Sequence, residues 1–351
     1  KTTIASSSGY SYQYKNMGQT SNKGVELQLD AIVVDAKDFG LNFNFNISYN
    51  RGKIDKLNGS SFWQSSSWAG TAAAGIEDFL VEEGGRLGEV YGYKTDGFYT
   101  ANDFTFDAEK GTYALKEGVN DCSSLIGGKV YPGSIKLKAN EDGEYKKERL
   151  GNTVPTVSGG FGLNARWKGF DFTAFFNYSL GNKIVNATKL GSSFYSGSSK
   201  NWNINDHFTS ANRYSWIDSS TGTNLLSSAS IKANGEAWTI NRLNEINSNA
   251  SIWNPAAATV MPLVDWAVED GSFLRVNNIT IGYTLPKLLV NKLNIQNIRI
   301  YVTGYNLHCF TKYSGTDPEV DCCTSTPMTP GIDYAAYPKS RSFVGGINVT
   351  F

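Results

Sequence analysis

Between Leu41 and Asn50 the chain reads LNFNFNISYN, and apolar and polar positions alternate without a fault. Leu41, Phe43, Phe45, Ile47 and Tyr49 share one side of an extended strand, and Asn42, Asn44, Asn46, Ser48 and Asn50 share the other. Successive side chains of a strand point to opposite faces, so this is a strand with one apolar and one polar face. The polar side carries amides and a hydroxyl rather than Lys or Glu. A solvated outer surface usually carries charge, whereas a neutral amide-rich face suits the wet interior of a barrel.

The pattern recurs. Val25, Leu27, Leu29, Ala31 and Val33 alternate with Glu26, Gln28 and Asp30. Further alternations run through VSGGFGLNARW, FDFTAFFNYS and IRIYVTG, and the last sets Phe343, Ile347, Val349 and Phe351 against Ser342, Asn348 and Thr350. Parity flips between Val276 and Ile279, which predicts a bulge at Asn277–Asn278. Strands are expected at about 12–34, 39–52, 154–167, 169–181, 272–285, 296–307 and 340–351. Two more, at 88–95 and 129–138, would keep the strand directions consistent and bring the count to nine.

Connections come in two lengths. DAKDFG and WKGF are short turns and TLPKLLVNKLNIQN is moderate, but 51–86, 182–271 and 308–340 are long. Short turns alternating with long loops along ten-residue strands is the habit of an outer-membrane barrel. A soluble β-sandwich would show turns every ~8–12 residues, a rhythm that a loop of ~90 residues breaks. The fold class expected is therefore all-β, a transmembrane antiparallel β-barrel with long extracellular loops. Single-chain barrels of this kind use even strand numbers, so nine strands predict that the rest of the barrel lies outside these residues.

Composition refines this picture. Lys plus Arg and Asp plus Glu both count 32 in 351 residues, so no basic excess supports nucleic-acid binding. Gly is abundant at 36, Pro scarce at 9, and Tyr and Phe reach 19 each, all in keeping with strands. No apolar run approaches the ~18–20 residues of a membrane helix. KTTIASSSGY carries no basic-then-apolar secretion signal and reads like the middle of a longer chain.

The four cysteines are Cys122, Cys309, Cys322 and Cys323. A disulfide from Cys309 to Cys322 or Cys323 fits an oxidising compartment, with the pairing open. Paired C-x-x-C spacings are absent and only His308 is near, so no metal is expected.

Several stretches together resemble one family: NKGVELQL, GEVYGYKTDGFY, PGSIKLK, LGNTVP, GGFGLNARWKGFDFTAFFNYSLGN, DGSFLRVNNITIGYTLP, IRIYVTGYNL, FTKYSGTDPEV and GIDYAAYPKSRSFVGGINVTF, in that order. They are similar to the C-terminal part of SusC-like (RagA-like) TonB-dependent transporters of Bacteroidetes outer membranes, from about residue 18 to 351. The resemblance implies a barrel of about 22 strands, a plug domain, energy delivered through TonB and a SusD-like lipoprotein partner. Residues 1–351 would then be the C-terminal part of a single barrel domain, about its last nine strands, with plug and N-terminal strands absent. The implied assembly is a dimer of transporter–lipoprotein pairs in the cell outer membrane. Phe343, Ile347, Val349 and Phe351 match, by resemblance, the terminal-strand signal read by the barrel assembly machinery. Relatives often carry a calcium-loop-like D-x-N-x-D-G. At KANEDGEYKKER, Lys138 and Arg149 replace oxygen ligands, so a turn is expected there.

No enzyme is expected. Glycan hydrolysis needs two carboxylates about 5–9.5 Å apart across one bond. DFLVEEGGR and DPEVD offer acids only in loop contexts, where solvated charge is the simpler reading. His207 and His308 lack a nucleophile-elbow partner, and GTAAAG lacks the Gly-Lys-Ser/Thr of a phosphate loop, so no cofactor is expected. Binding falls to the long loops, where Trp63, Trp68, Trp202, Trp216, Trp238 and Trp253 could stack on substrate, meet the lipoprotein or merely pack. Trp167 beside Phe170 suits an aromatic girdle at the membrane edge, and Arg275 and Arg299 suit a lumen-facing position. The expected function is TonB-dependent import of oligosaccharides or oligopeptides. The alternatives are a passive porin and a soluble carbohydrate-binding module.

Overall fold

The computed structural model describes residues 2–3, 6–10, 12–13, 16, 18–65, 77–195, 203–290, 295–322 and 328–351. Its largest sheet is an antiparallel meander of seven strands: β1 (Gly18–Asp35), β2 (Phe39–Leu57), β3 (Val157–Trp167), β4 (Phe170–Leu180), β5 (Phe273–Thr284), β6 (Asn297–Thr311) and β7 (Ser342–Thr350). Each strand pairs with its neighbour in the chain, so the sheet is a wall whose spatial order is its sequence order.

The period-2 pattern sets the two faces of this wall. Phe39, Trp167, Phe170, Tyr283, Ile300 and Ile347 align across six strands in one outward row. Trp167 stacks on Phe170 at 6.3 Å, and Phe170 meets Tyr283 at 4.5 Å. Above this row Ile281 and Val302 stand exposed, as does Phe343 on the terminal strand. In water such a belt would be a liability; along a membrane wall it meets hydrocarbon, with aromatics at the interface. The opposite face aligns Asn42, Asn164, Thr173, Thr280 and Thr303, and the last two share a 2.9 Å hydrogen bond.

Local chemistry explains the turns. Lys168 (φ 45°) and Gly169 (φ 90°) form the two-residue link between β3 and β4, where both central residues need positive φ to match the strand twist. The register shifts between Val276 and Asn278, placing one bulge where the parity of the sequence flips. All short connections lie at one end of the wall and all long ones at the other.

Segments 88–95 and 129–138 are not wall strands. Glu89–Gly92 pairs with Glu77–Val81 and Glu148–Asn152, and Ile135–Leu137 pairs with Thr95–Phe98, all within the connection between β2 and β3. Alternation marks a half-buried strand in any sheet, so it cannot separate a small soluble sheet from a membrane wall. The wall therefore has seven described strands where nine were expected.

The long connections run over 58–156, 181–272 and 312–341, and their described residues (58–65 and 77–156, 181–195 and 203–272, 312–322 and 328–341) form folded inserts. Their apolar residues form one core: Phe79, Tyr99 and Phe104 come from the first, Leu243 and Trp253 from the second and Ile332 from the third. Helix α1 (Ser228–Ile246) starts at Ser227, whose side chain accepts from the Ser230 amide, and bends at Gly235 (φ 78°). Glu236 on this helix accepts from the Phe106 amide of the first insert at 3.0 Å. Lys183–Asn186 pairs antiparallel with Val268–Asp270 and parallel with Ile332–Asp333, which stitches the third insert to the second. KANEDGEYKKER forms the expected turn: Gly143 (φ 80°) follows Asn140, whose side chain accepts from the Glu144 amide at 2.7 Å.

Candidate functional site

The polar face of the wall leads up to a charged centre below the inserts. Arg275 sits in an inward row with Asn46, Gly160, Asn177 and Cys309. It is 4% exposed, and water cannot solvate its guanidinium. Its Nη2 donates to Asp317 and its Nε to Glu319, each at 2.5 Å. Lys339 reaches the same Glu319 at 2.7 Å, and Asn177 donates to it at 3.3 Å. Asp317 and Glu319 thereby tie the start of the third insert to the inner face of the wall, and Lys339 joins its far end to the same acid. DPEVD, which reads as solvated loop charge, is different in the fold: Asp317 is 3% exposed and paired. Asp78 of DFLVEEGGR is likewise fully enclosed. A buried charge persists only when paired, so an arginine facing inward on the wall was itself the signal to look for acids opposite it.

A second charged centre joins the second and third inserts. Glu269 accepts from Lys189 at 3.2 Å, from the Ser314 amide at 2.8 Å and from the Ser314 hydroxyl at 2.7 Å. Burial pushes its carboxyl up, but the hydrogen bonds from Ser314 and the nearby Lys189 outweigh it and hold the group below its ordinary range. The Lys189 ammonium lies 4.0 Å from the centre of the Trp266 ring and donates to the Trp266 carbonyl. Tyr313 donates to Asp333 at 2.6 Å, and burial together with that carboxylate pushes its phenol up. Lower on the inner wall, Arg299 pairs with Asp171 and Arg166 with Asp35.

The tryptophans part company. Trp253 is enclosed in the shared core, against Trp266 at 4.9 Å and Phe208 at 5.4 Å, and its Nε1 donates to the Ser193 carbonyl. Trp216 is half-buried against Tyr131, with Nε1 bonded to the Pro132 carbonyl at 2.6 Å. Both serve packing, because an indole N–H that is bonded inside a core is not available at a surface. Trp63 and Trp238 are exposed, on the first insert and on α1. Trp63 meets the Tyr91 ring at 5.5 Å with the Lys147 ammonium 4.9 Å from its centre. Trp68, Trp202 and Cys323 lie outside the described residues. Cys309 carries a free thiol, so no bond links it to Cys322; it faces the Arg275 centre from the adjacent strand. Phe343, Ile347, Val349 and Phe351 are exposed, and the first three project from β7.

No family model matches the chain. It is 29% identical to TonB-dependent receptor P3 of Formosa agariphila over 354 residues, covering 98% of this chain and 30% of that protein. It is 23% identical to the TonB-dependent receptor SusC of Bacteroides thetaiotaomicron, covering 96% of this chain and 27% of that one. Among solved structures it matches the RagAB peptide importer in its closed-closed state with TM-score 0.63 and 22% identity, over 99% of this chain and 31% of that one. The chain thus resembles SusC/RagA-like TonB-dependent receptors along nearly its whole length, and spans about 30% of the length of the curated relatives it matches. The seven-stranded wall shares the fold of a section of that barrel.

Proposed function

We propose that residues 1–351 are the C-terminal barrel section of an outer-membrane importer driven through TonB, with a SusD-like lipoprotein as partner and oligosaccharides or oligopeptides as cargo. The observation that carries this reading is the likeness to TonB-dependent receptors over 98% of the chain. The wall supports it with one apolar face and one polar face lined by asparagine and threonine. In this reading β1 and β7 pair with the remaining barrel strands, because an open edge in hydrocarbon leaves backbone groups unsatisfied. Phe343, Ile347, Val349 and Phe351 then serve recognition by the barrel assembly machinery. Among the described residues of the inserts, Trp63 and Trp238 are exposed, and in this reading they meet the lipoprotein or cargo. The pair of importers and lipoproteins forms the dimer.

The test is a gentle detergent extraction from outer membranes, with a tag in the first insert and mass spectrometry of everything retained. Recovery of a plug-bearing barrel region and a surface lipoprotein is the expected result. A chain recovered alone and soluble without detergent would refute it.

A further inference from the structure

We infer that the cleft between the second and third inserts is a subsite for one sugar unit of a glycan, with Tyr337 as its stacking face; this rests on the import reading above. The cleft encloses about 390 Å³. That lies within the range of small-ligand pockets, about 300–1,000 Å³.

Its floor is fixed before any ligand arrives. The Lys189 ammonium rests on Trp266, and Trp266 packs against Trp253 and Phe208 of the core. His207 meets the same indole edge-on at 5.8 Å, and the Asn205 side chain accepts from the His207 amide at 2.9 Å. The other wall is shaped by Ala335, a non-glycine residue at φ 53° whose amide is held by the Thr188 hydroxyl at 2.8 Å. This left-handed residue turns the chain so that Tyr337, 90% exposed, stands at the mouth. An aromatic this exposed, two residues after a left-handed turn and beside a packed floor, is available for contact rather than packing.

Charge selects the ligand class. At the base Lys189 is neutralised by Glu269, while Asp333 keeps its charge and accepts a hydrogen bond from the neutral Tyr313 phenol. Among the described residues no unpaired ammonium or guanidinium lines the cleft to hold a peptide carboxylate. The groups that face a ligand include the Asn205 amide nitrogen, the Thr316 hydroxyl and the Asp206 carboxylate, one oxygen of which lies 3.2 Å from the His207 ring nitrogen. Amide, hydroxyl and carboxylate groups beside an exposed aromatic ring suit a pyranose: its C–H face lies on the ring and its hydroxyls bridge to amide and carboxylate.

The complete transporter, purified with its lipoprotein, would be bound to a printed array of plant, algal and animal oligosaccharides and, separately, to a tryptic digest of casein. Wild type should bind at least one glycan. Tyr337→Ala and Asp206→Ala should each weaken that binding about tenfold or more, while Tyr337→Phe keeps it; heat-modifiable gel mobility confirms that each variant is folded. Glycan binding that survives both alanine changes overturns the subsite and leaves the import reading standing. Binding of casein peptides alone overturns the sugar assignment in the same way. Binding of neither class overturns the import reading and the subsite with it.

Discussion

Arg275 is enclosed on the inner face of β5, and its guanidinium depends on Asp317 and Glu319 for all that water would otherwise supply. Removing one partner of such a pair costs about 3–5 kcal/mol, because the other charge is left buried and alone. Arg275→Met should therefore release the third insert, read as faster hydrogen exchange over 312–322 and 328–341. Adding Asp317→Asn and Glu319→Gln should restore much of the protection, since the orphaned charges go with the arginine. An unchanged exchange pattern in Arg275→Met would show that the wall does not hold the insert. Glu269 behaves differently because its carboxyl is held below the ordinary range. A depressed acid stabilises the fold above its unfolded pKa, and that contribution is lost as pH falls through the lower, folded value. The seam between the second and third inserts should thus be intact at neutral pH and loosen only under acid. Ser314→Ala deletes the 2.7 Å hydroxyl bond, so it should move the loosening to higher pH, followed by tryptophan fluorescence. An onset that stays in place would refute that role for the hydroxyl.

Strands of the wall are built for two solvents at once, and substitutions should separate them. Ile281 faces outward and is 56% exposed, whereas Asn164 faces inward. An arginine or lysine on the lipid face near the bilayer midplane costs about 2–4 kcal/mol, but the lumen tolerates charge. Ile281 lies one outward position above the aromatic row, so Ile281→Arg should lower the unfolding free energy of the refolded barrel by about 1–2 kcal/mol, read from the denaturant midpoint and slope, and Asn164→Lys should leave it nearly unchanged. Equal effects would refute the division into a lipid face and a lumen face, and a costlier Asn164→Lys would reverse it. The same strands show how much was legible beforehand. The seven wall strands, the β3–β4 turn and the bulge near Asn277 follow from period-2 alternation and its break there, whereas the register shifts of β1 at Gln19–Thr20 and Ile32–Val34 do not. Strands 89–92 and 135–137 were legible as strands but not as insert strands, because their partners lie in local hairpin-like sheets that use the same alternation. One glycine shows what alternation leaves out. At Gly159 the Tyr178 ring crosses the strand to donate its hydroxyl to the Asn46 carbonyl at 3.0 Å, and an added Cβ would lie 2.2 Å from that same oxygen. Gly159→Ala should cost about 1–3 kcal/mol through overpacking, read in the same unfolding experiment. A wild-type midpoint would refute the close approach.

At the scale of the whole chain, the hydrophobic core and the membrane wall are different places. The wall shows its apolar residues outward, and the enclosed apolar cluster lies in the inserts, drawn from segments that β3 and β4 separate in sequence. Contacts of that kind leave no periodic trace. Trp253 and an exposed loop tryptophan look alike in the sequence, and only the meeting of distant segments decides which is buried. The acids opposite Arg275 were hidden for the same reason, since about forty residues separate DPEVD from the arginine it neutralises. If three inserts share one core, a cavity cut in one of them must be felt in the others. Trp253 contributes from the second insert, and truncating a buried tryptophan costs about 3–5 kcal/mol. Trp253→Ala should therefore raise hydrogen exchange not only around 184–194 but also in the first insert at 79–137, across a chain gap that local loosening cannot bridge. Amides in the middle of β3 and β4 should keep their protection, because their hydrogen bonds belong to the wall and not to the inserts. Loosening confined to 184–194 would mean that the inserts fold as separate units and only touch. Loosening that spread into β3 and β4 would mean that wall and inserts stand or fall together.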